Sequence, residues 1–137
     1  MTAIVCVDDR NGMMFGGRRL SRDRVLCEDI IRLCGTVWMN SYSAPLFETY
    51  SENIIVDDEF LRNADGFCFV ETESLCDAEL DGMILYRWNR RYPADVHLAY
   101  LPEEHGMVLH SSEEFAGSSH ERITREIWRM NHGETQQ

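Results

Sequence analysis

The sequence predicts a single α/β domain with a mostly parallel central sheet flanked by helices and closed by an antiparallel C-terminal edge. Three observations carry this. Short apolar runs rich in β-branched residues alternate with helix-like stretches through the first two-thirds of the 137 residues. Strand-like runs crowd the remainder, where two of them can pair as a hairpin. No linker or internal repeat divides the chain, and its length suits one domain. The domain is expected over residues 1–130, with a flexible polar tail over 131–137.

Taken in order, Ala3–Val7 (AIVCV) is an unbroken apolar run that fits a strand covered on both faces, and DDRNG after it is a turn signal. Met13–Arg19 (MMFGGRR) reads as a loop, whose paired glycines favour mobility. Ser21 is placed to cap a helix ending at Gly35. Leu26, Ile30 and Leu33 share its apolar face with Cys27, Ile31 and Cys34. Thr36–Met39 is a second strand, and Ser43 with Pro45 opens a short helix. Asn53–Val56 and Gly66–Glu71 are further strands, separated by a turn of helix in DEFLRNA. SLCDAEL reads as another short helix, Gly82–Trp88 as a fifth strand and Asp95–Leu101 as a sixth. GMVLHS and RITREIWRM make the closing hairpin, although Ile123, Ile127 and Met130 also fit a helix.

Composition narrows the partners. A net charge of −11 argues against general binding to nucleic acid or an anionic membrane surface. The chain contains no lysine, so Schiff-base, Walker A and lysine-base chemistry are excluded. Five cysteines without a C-x-x-C pair, and an N-terminus without a signal-like apolar run, fit buried thiols in a cytoplasmic protein.

Several residues invite a chemical reading. Asp23 sits at the start of the first helix, where acids are favoured by the helix dipole alone. Arg18, Arg19, Arg22 and Arg24 form either an anion patch or a set of solvated loop charges. Arg87, Arg90 and Arg91 are interleaved with Trp88 and Tyr92, a pattern of stacking and phosphate contact or of simple structural packing. His97, His105, His110 and His120 lie among glutamates without a metal-binding spacing. Ser118, Ser119 and His120 are too close in sequence to form a nucleophile–base pair without a special turn.

The order of these motifs resembles dihydrofolate reductase. VCVDDRNGMMFGG matches the family's first strand and mobile loop, and LSRD (Leu20–Asp23) its Leu-Pro-x-Asp helix start. VWMNSYS, NIIVDD, MILYRW, YPADVHLAYL and ERITREIWRM follow in the family's order. The resemblance implies Asp23 as the catalytic acid that holds a pterin-like ring. It implies Val5, Cys6, Asn11, Leu26, Cys27 and Ser43 as substrate-binding residues, and the loop Asn11–Gly17 as a lid. It implies NADPH as cofactor, and no metal.

The chain also departs from the family. Arg18 and Arg19 stand where a Trp precedes the acid. Ser41 replaces the arginine that pairs with the cofactor's 2′-phosphate, and Asp57 and Asp58 replace the serines that support it. YRWNRRYPAD replaces a Gly-Gly and its helix, leaving Arg87, Arg90 and Arg91 as substitute cofactor contacts. Two readings follow from the resemblance. One is an NADPH-dependent oxidoreductase of a pterin-like or other heteroaromatic molecule. The other is a non-catalytic folate- or nucleotide-like binding or regulatory protein that kept the fold and lost NADPH. A metal-dependent hydrolase using the His- and Glu-rich last third is a lesser alternative.

Overall fold

The computed structural model describes residues 1–131; the rest of the expected tail, 132–137, lies outside the described residues. The elements run β1 (Thr2–Val7), β2 (Gly12–Phe15), β3 (Arg18–Arg19), α1 (Arg24–Cys34), β4 (Val37–Met39), a kinked 3₁₀ segment (Ala44–Asn53), β5 (Ile54–Val56), α2 (Phe60–Asn63), β6 (Phe67–Phe69), β7 (Gly82–Arg87), β8 (Val96–His97), a 3₁₀ turn (Pro102–His105), β9 (Met107–Phe115) and β10 (Ile123–Met130). A seven-stranded sheet has the order β5-β4-β6-β1-β7-β10-β9. Its first five strands are parallel, and β10 and β9 close it antiparallel.

The pleat of β1 divides the core. Ile4 and Cys6 face α1, packing with Leu26, Ile30, Phe47 and Ile84. Ala3, Val5 and Val7 face the other side, with Met13, Phe60, Leu98 and Met107. That second side is covered by α2, loops and a small sheet of order β3-β2-β8 rather than by long helices. Among the described residues α1 is the one α-helix longer than a turn. The expectation of a helix-flanked sheet therefore holds for one face.

Several local expectations change. Met13–Arg19 is a hairpin, not an open loop: Phe15 pairs with Arg18 across Gly16 and Gly17. Both glycines have positive φ, 58° and 78°, as a two-residue turn of this type requires. The cap of α1 is Asp23 rather than Ser21, because the Asp23 carboxylate accepts the Val25 and Leu26 amides. Leu33 falls off the apolar face and is exposed. SLCDAEL forms no helix; it is too short to nucleate one and is anchored as a loop by buried Leu75. The Asp95–Leu101 strand shrinks to β8 and pairs with β2. The last element is a strand, and Cys76 is exposed rather than buried.

Two buried acids fasten these pieces. Asp8, 1% exposed, accepts the Arg10 and Gly12 amides at 2.9 and 2.7 Å and the Tyr92 amide at 3.0 Å. It thus joins the loops that leave β1 and β7. Asp29 on α1 accepts the Tyr86 hydroxyl at 2.7 Å and Arg125 Nη1 at 2.8 and 2.7 Å. This ties α1 to β7 and β10, with Arg32 as a further partner. Removing one member of a buried pair leaves the other charge without its partner. Asp29→Ala is therefore expected to lower unfolding free energy by about 3–5 kcal/mol, read from urea titrations; a loss within experimental error would show that the pair contributes nothing net.

Candidate functional site

In open α/β sheets ligands bind beyond the carboxyl ends of the strands. Here the ends of β1, β6 and β7 meet the start of α1 around a cavity of about 20 Å³, bordered by Cys6, Arg19, Ser21, Leu26, Phe69 and Trp88. That is room for about one water, against the several hundred Å³ of a usual ligand pocket.

A polar clasp closes it. Arg19 on β3 donates to both oxygens of Glu71, from Nε at 2.8 Å and Nη2 at 2.9 Å. Its guanidinium also lies over the Tyr42 ring, 4.8 Å from the centroid. Ser43 Oγ donates to Glu71 Oε1 at 2.7 Å, and Asn40 Nδ2 reaches Thr72 Oγ1 and Glu73 Oε2. Residues following β4 and β6 are thereby bound to β3. Glu71 is 9% exposed, which makes the bidentate pair tighter than a surface one.

Asp23 is the second centre. Its Oδ1 accepts from the amides of Val25 (2.9 Å), Leu26 (3.2 Å) and Ser118 (2.9 Å) and from Ser118 Oγ (3.2 Å). Its Oδ2 accepts from the Ser119 amide at 2.7 Å and contacts His120 Nδ1 at 2.9 Å. The side chain is 0% exposed. Burial by itself would raise its pKa; the His120, Ser118, Ser119 and Leu26 hydrogen bonds outweigh that and hold the carboxyl well below the usual range. Asp23 is thus a fixed anion at neutral pH. No oxygen is left free for a heterocycle, contrary to the catalytic-acid expectation in this conformation.

His120 is held on every side. Nε2 lies 3.0 Å from Ser21 Oγ and 2.9 Å from the Tyr92 hydroxyl. The Trp88 ring stacks on the imidazole at 4.5 Å between centroids. Sequence reading misses this cluster because Ser21 and Asp23 lie 99 and 97 residues from His120.

The remaining expected site residues separate. Cys6, Leu26 and Cys27 border the small cavity, whereas Val5 points to the opposite face of the sheet. Ser43 is fully buried on Glu71. Asn11 lies in the turn after β1 and accepts from Arg87 Nη1 at 3.3 Å. Arg87 itself pairs with Glu126 on β10. Arg90 lies over the Tyr92 ring and Arg91 borders a different surface cleft, so the three arginines form no common site. Burial pushes the Cys27 thiol up to about 12, an unreactive value. Among the described residues no three His, Cys, Asp or Glu side chains converge as a metal site.

A roomier outer cleft of about 450 Å³ lies between α1 and the 44–53 segment, bordered by Arg22, Arg24, Cys27, Leu46, Thr49 and Tyr50. Arg22 and Asp23 border this cleft and the inner cavity alike.

The fold is dihydrofolate-reductase-like. The structure of dihydrofolate reductase from Enterococcus faecalis, complexed with NADP(H) and RAB-propyl, matches with a TM-score of 0.65 over 95% of each chain, at 9% sequence identity. No family model and no curated protein matches the sequence. The likeness therefore establishes the architecture.

NADPH, implied by the fold, does not fit these residues. Ser41 donates from its amide and hydroxyl to Asp58, which puts a carboxylate where the resemblance expects the cofactor's phosphate to be held. Those hydrogen bonds hold the Asp58 carboxyl below its usual range, so it stays charged. An anion there repels a second one. No helix opens after β7, at YRWNRRYPAD, to receive a pyrophosphate.

Two outcomes follow. A Cβ on Gly117 would overlap the Asp23 carboxylate and lie 2.9 Å from Ile123 Cδ1. Gly117→Ala is expected to destabilise by about 1–3 kcal/mol, read as a lowered Tm. Asp23, with its pKa depressed by folding, stabilises fully above the unfolded carboxyl range near pH 4, and that contribution is lost as pH falls toward the folded value. The stability gap between wild type and Asp23→Asn should therefore narrow as pH falls below about 4; a gap constant with pH would contradict the depressed pKa.

Proposed function

We propose that this protein binds a small anionic, ring-bearing molecule in the outer cleft and does not transfer hydride. The observation that carries the reading is the Arg19–Glu71–Ser43 clasp, which fills the crevice that a nicotinamide and a pterin would have to share. Arg22 and Arg24 supply positive charge at the cleft, and Tyr50 and Leu46 supply flat apolar surface for a ring. The folate- or nucleotide-like class comes from the fold resemblance. The reductase reading keeps one support, the architecture shared with a reductase complexed with NADP(H). It requires the clasp to open and the cofactor's phosphates to sit beside Asp58.

One pair of assays separates the two. NADPH at about millimolar concentration should leave intrinsic fluorescence unchanged, and mixing with dihydrofolate should oxidise none of it. Thermal-shift screening with antifolates, nucleotides and aromatic carboxylates should find a stabilising ligand whose effect is lost in Arg22→Glu/Arg24→Glu. NADPH oxidation by the wild-type protein would sink the binding reading, and a flat screen would remove the outer cleft as its site.

A further inference from the structure

The geometry points to an acyl-transfer centre formed by Ser21, His120 and Asp23, acting on small carboxylic esters. This goes beyond the binding reading. The three side chains are linked in the order a hydrolytic triad requires: Ser21 Oγ to His120 Nε2 at 3.0 Å, and His120 Nδ1 to Asp23 Oδ2 at 2.9 Å. Ionised Asp23 only accepts, so Nδ1 must be the donor. In the neutral imidazole Nε2 is then left with its lone pair toward the hydroxyls. The ring cannot swing away, because Trp88 stacks on it and its side chain is 2% exposed.

Asp23 is a positioning residue. Its four contacts from Leu26, Val25 and the Ser118 and Ser119 amides fix it against the helix start and keep its proton off. Ser21 and His120 are the catalytic residues. Ser21 is half-buried and borders the inner cavity, which shares Arg22, Asp23, Cys27 and Leu46 with the outer cleft. The inner cavity of about 20 Å³ holds about one water, so the ester reaches Ser21 from the cleft of about 450 Å³, along that shared wall.

In the step, Ser21 Oγ bonds to the ester carbonyl carbon as its proton passes to Nε2 and the π pair moves to oxygen. Collapse breaks the bond to the alcohol, which leaves with the proton from Nε2. Water repeats the sequence on the acyl-serine, giving the acid and restoring Ser21. Ester and water are consumed, with no redox partner.

A fluorophosphonate probe tests Ser21 directly, whatever ligand the outer cleft binds. The expected result is one phosphonyl adduct per chain, mapped to Ser21 by peptide mass and absent in Ser21→Ala. Its rate should fall about 10²-fold in folded His120→Gln. No adduct at Ser21, or modification spread evenly over several serines, overturns the proposal. Should His120→Gln fail to fold, the mapped adduct of the wild type decides: labelling at Ser118 or Ser119 in place of Ser21 overturns it.

Discussion

The interaction on which the site depends is the buried Asp23 carboxylate. It caps α1 through Val25 and Leu26, and through Ser118, Ser119 and His120 it holds the loop between β9 and β10 against that helix start. One side chain thus joins the first helix to the last hairpin. A buried charge is tolerable only when its lone pairs are satisfied, and here the donors include amides at the positive end of a helix. Gly117 is small because the carboxylate passes against it. The imidazole, its two hydroxyl partners and the Trp88 stack are then positioned by that anchor.

The clasp at Arg19 has a different consequence. A dihydrofolate-reductase-like architecture brings a hairpin and the ends of β4 and β6 to one crevice. Arg19, Glu71, Ser43 and Asn40 join these elements to one another rather than to a ligand. Because Glu71 is nearly excluded from solvent, opening the clasp means exposing it and separating the pair. Gly16 and Gly17, which fit a mobile lid in sequence terms, instead supply the tight turn that carries Arg19 to Glu71. The same fold thereby presents a narrow inner cavity and an open outer cleft.

The parallel sheet was legible because its strands, such as Ala3–Val7 and Gly82–Trp88, are apolar on both faces, and the helix because its apolar residues recur at helical spacing. Local signals also marked Gly35 as the helix end. The cap was misplaced by two residues because Ser21 and Asp23 have equal local credentials; only His120, distant in sequence, decides between them by taking the serine hydroxyl. The short pieces failed for a related reason. SLCDAEL and Asp95–Leu101 are too brief for periodicity to determine them, and their neighbours in space set their conformation. Asp23 was legible as a special position, but its partners were not. Sequence spacing tests only local pairs, and the nucleophile-like hydroxyl beside His120 came from Ser21 rather than from adjacent Ser118 or Ser119.

The absence of lysine takes on a physical meaning at this level. Each main ion pair between elements is made by a guanidinium: Arg19 with Glu71, Arg125 with Asp29 and Glu113, and Arg87 with Glu126. Arg19 grips both oxygens of one carboxylate, and Arg125 spans two carboxylates at once. A lysine ammonium is a single point donor site and cannot reproduce either geometry. In a chain of net charge −11, acids forced inward by the short loops need partners that satisfy several lone pairs at once. Of the arginines expected as cofactor contacts, Arg87 is explained by the carboxylate it holds, Glu126. Arg22 and Arg24 pair with no carboxylate among the described residues and border the outer cleft, where their charge is open to a ligand.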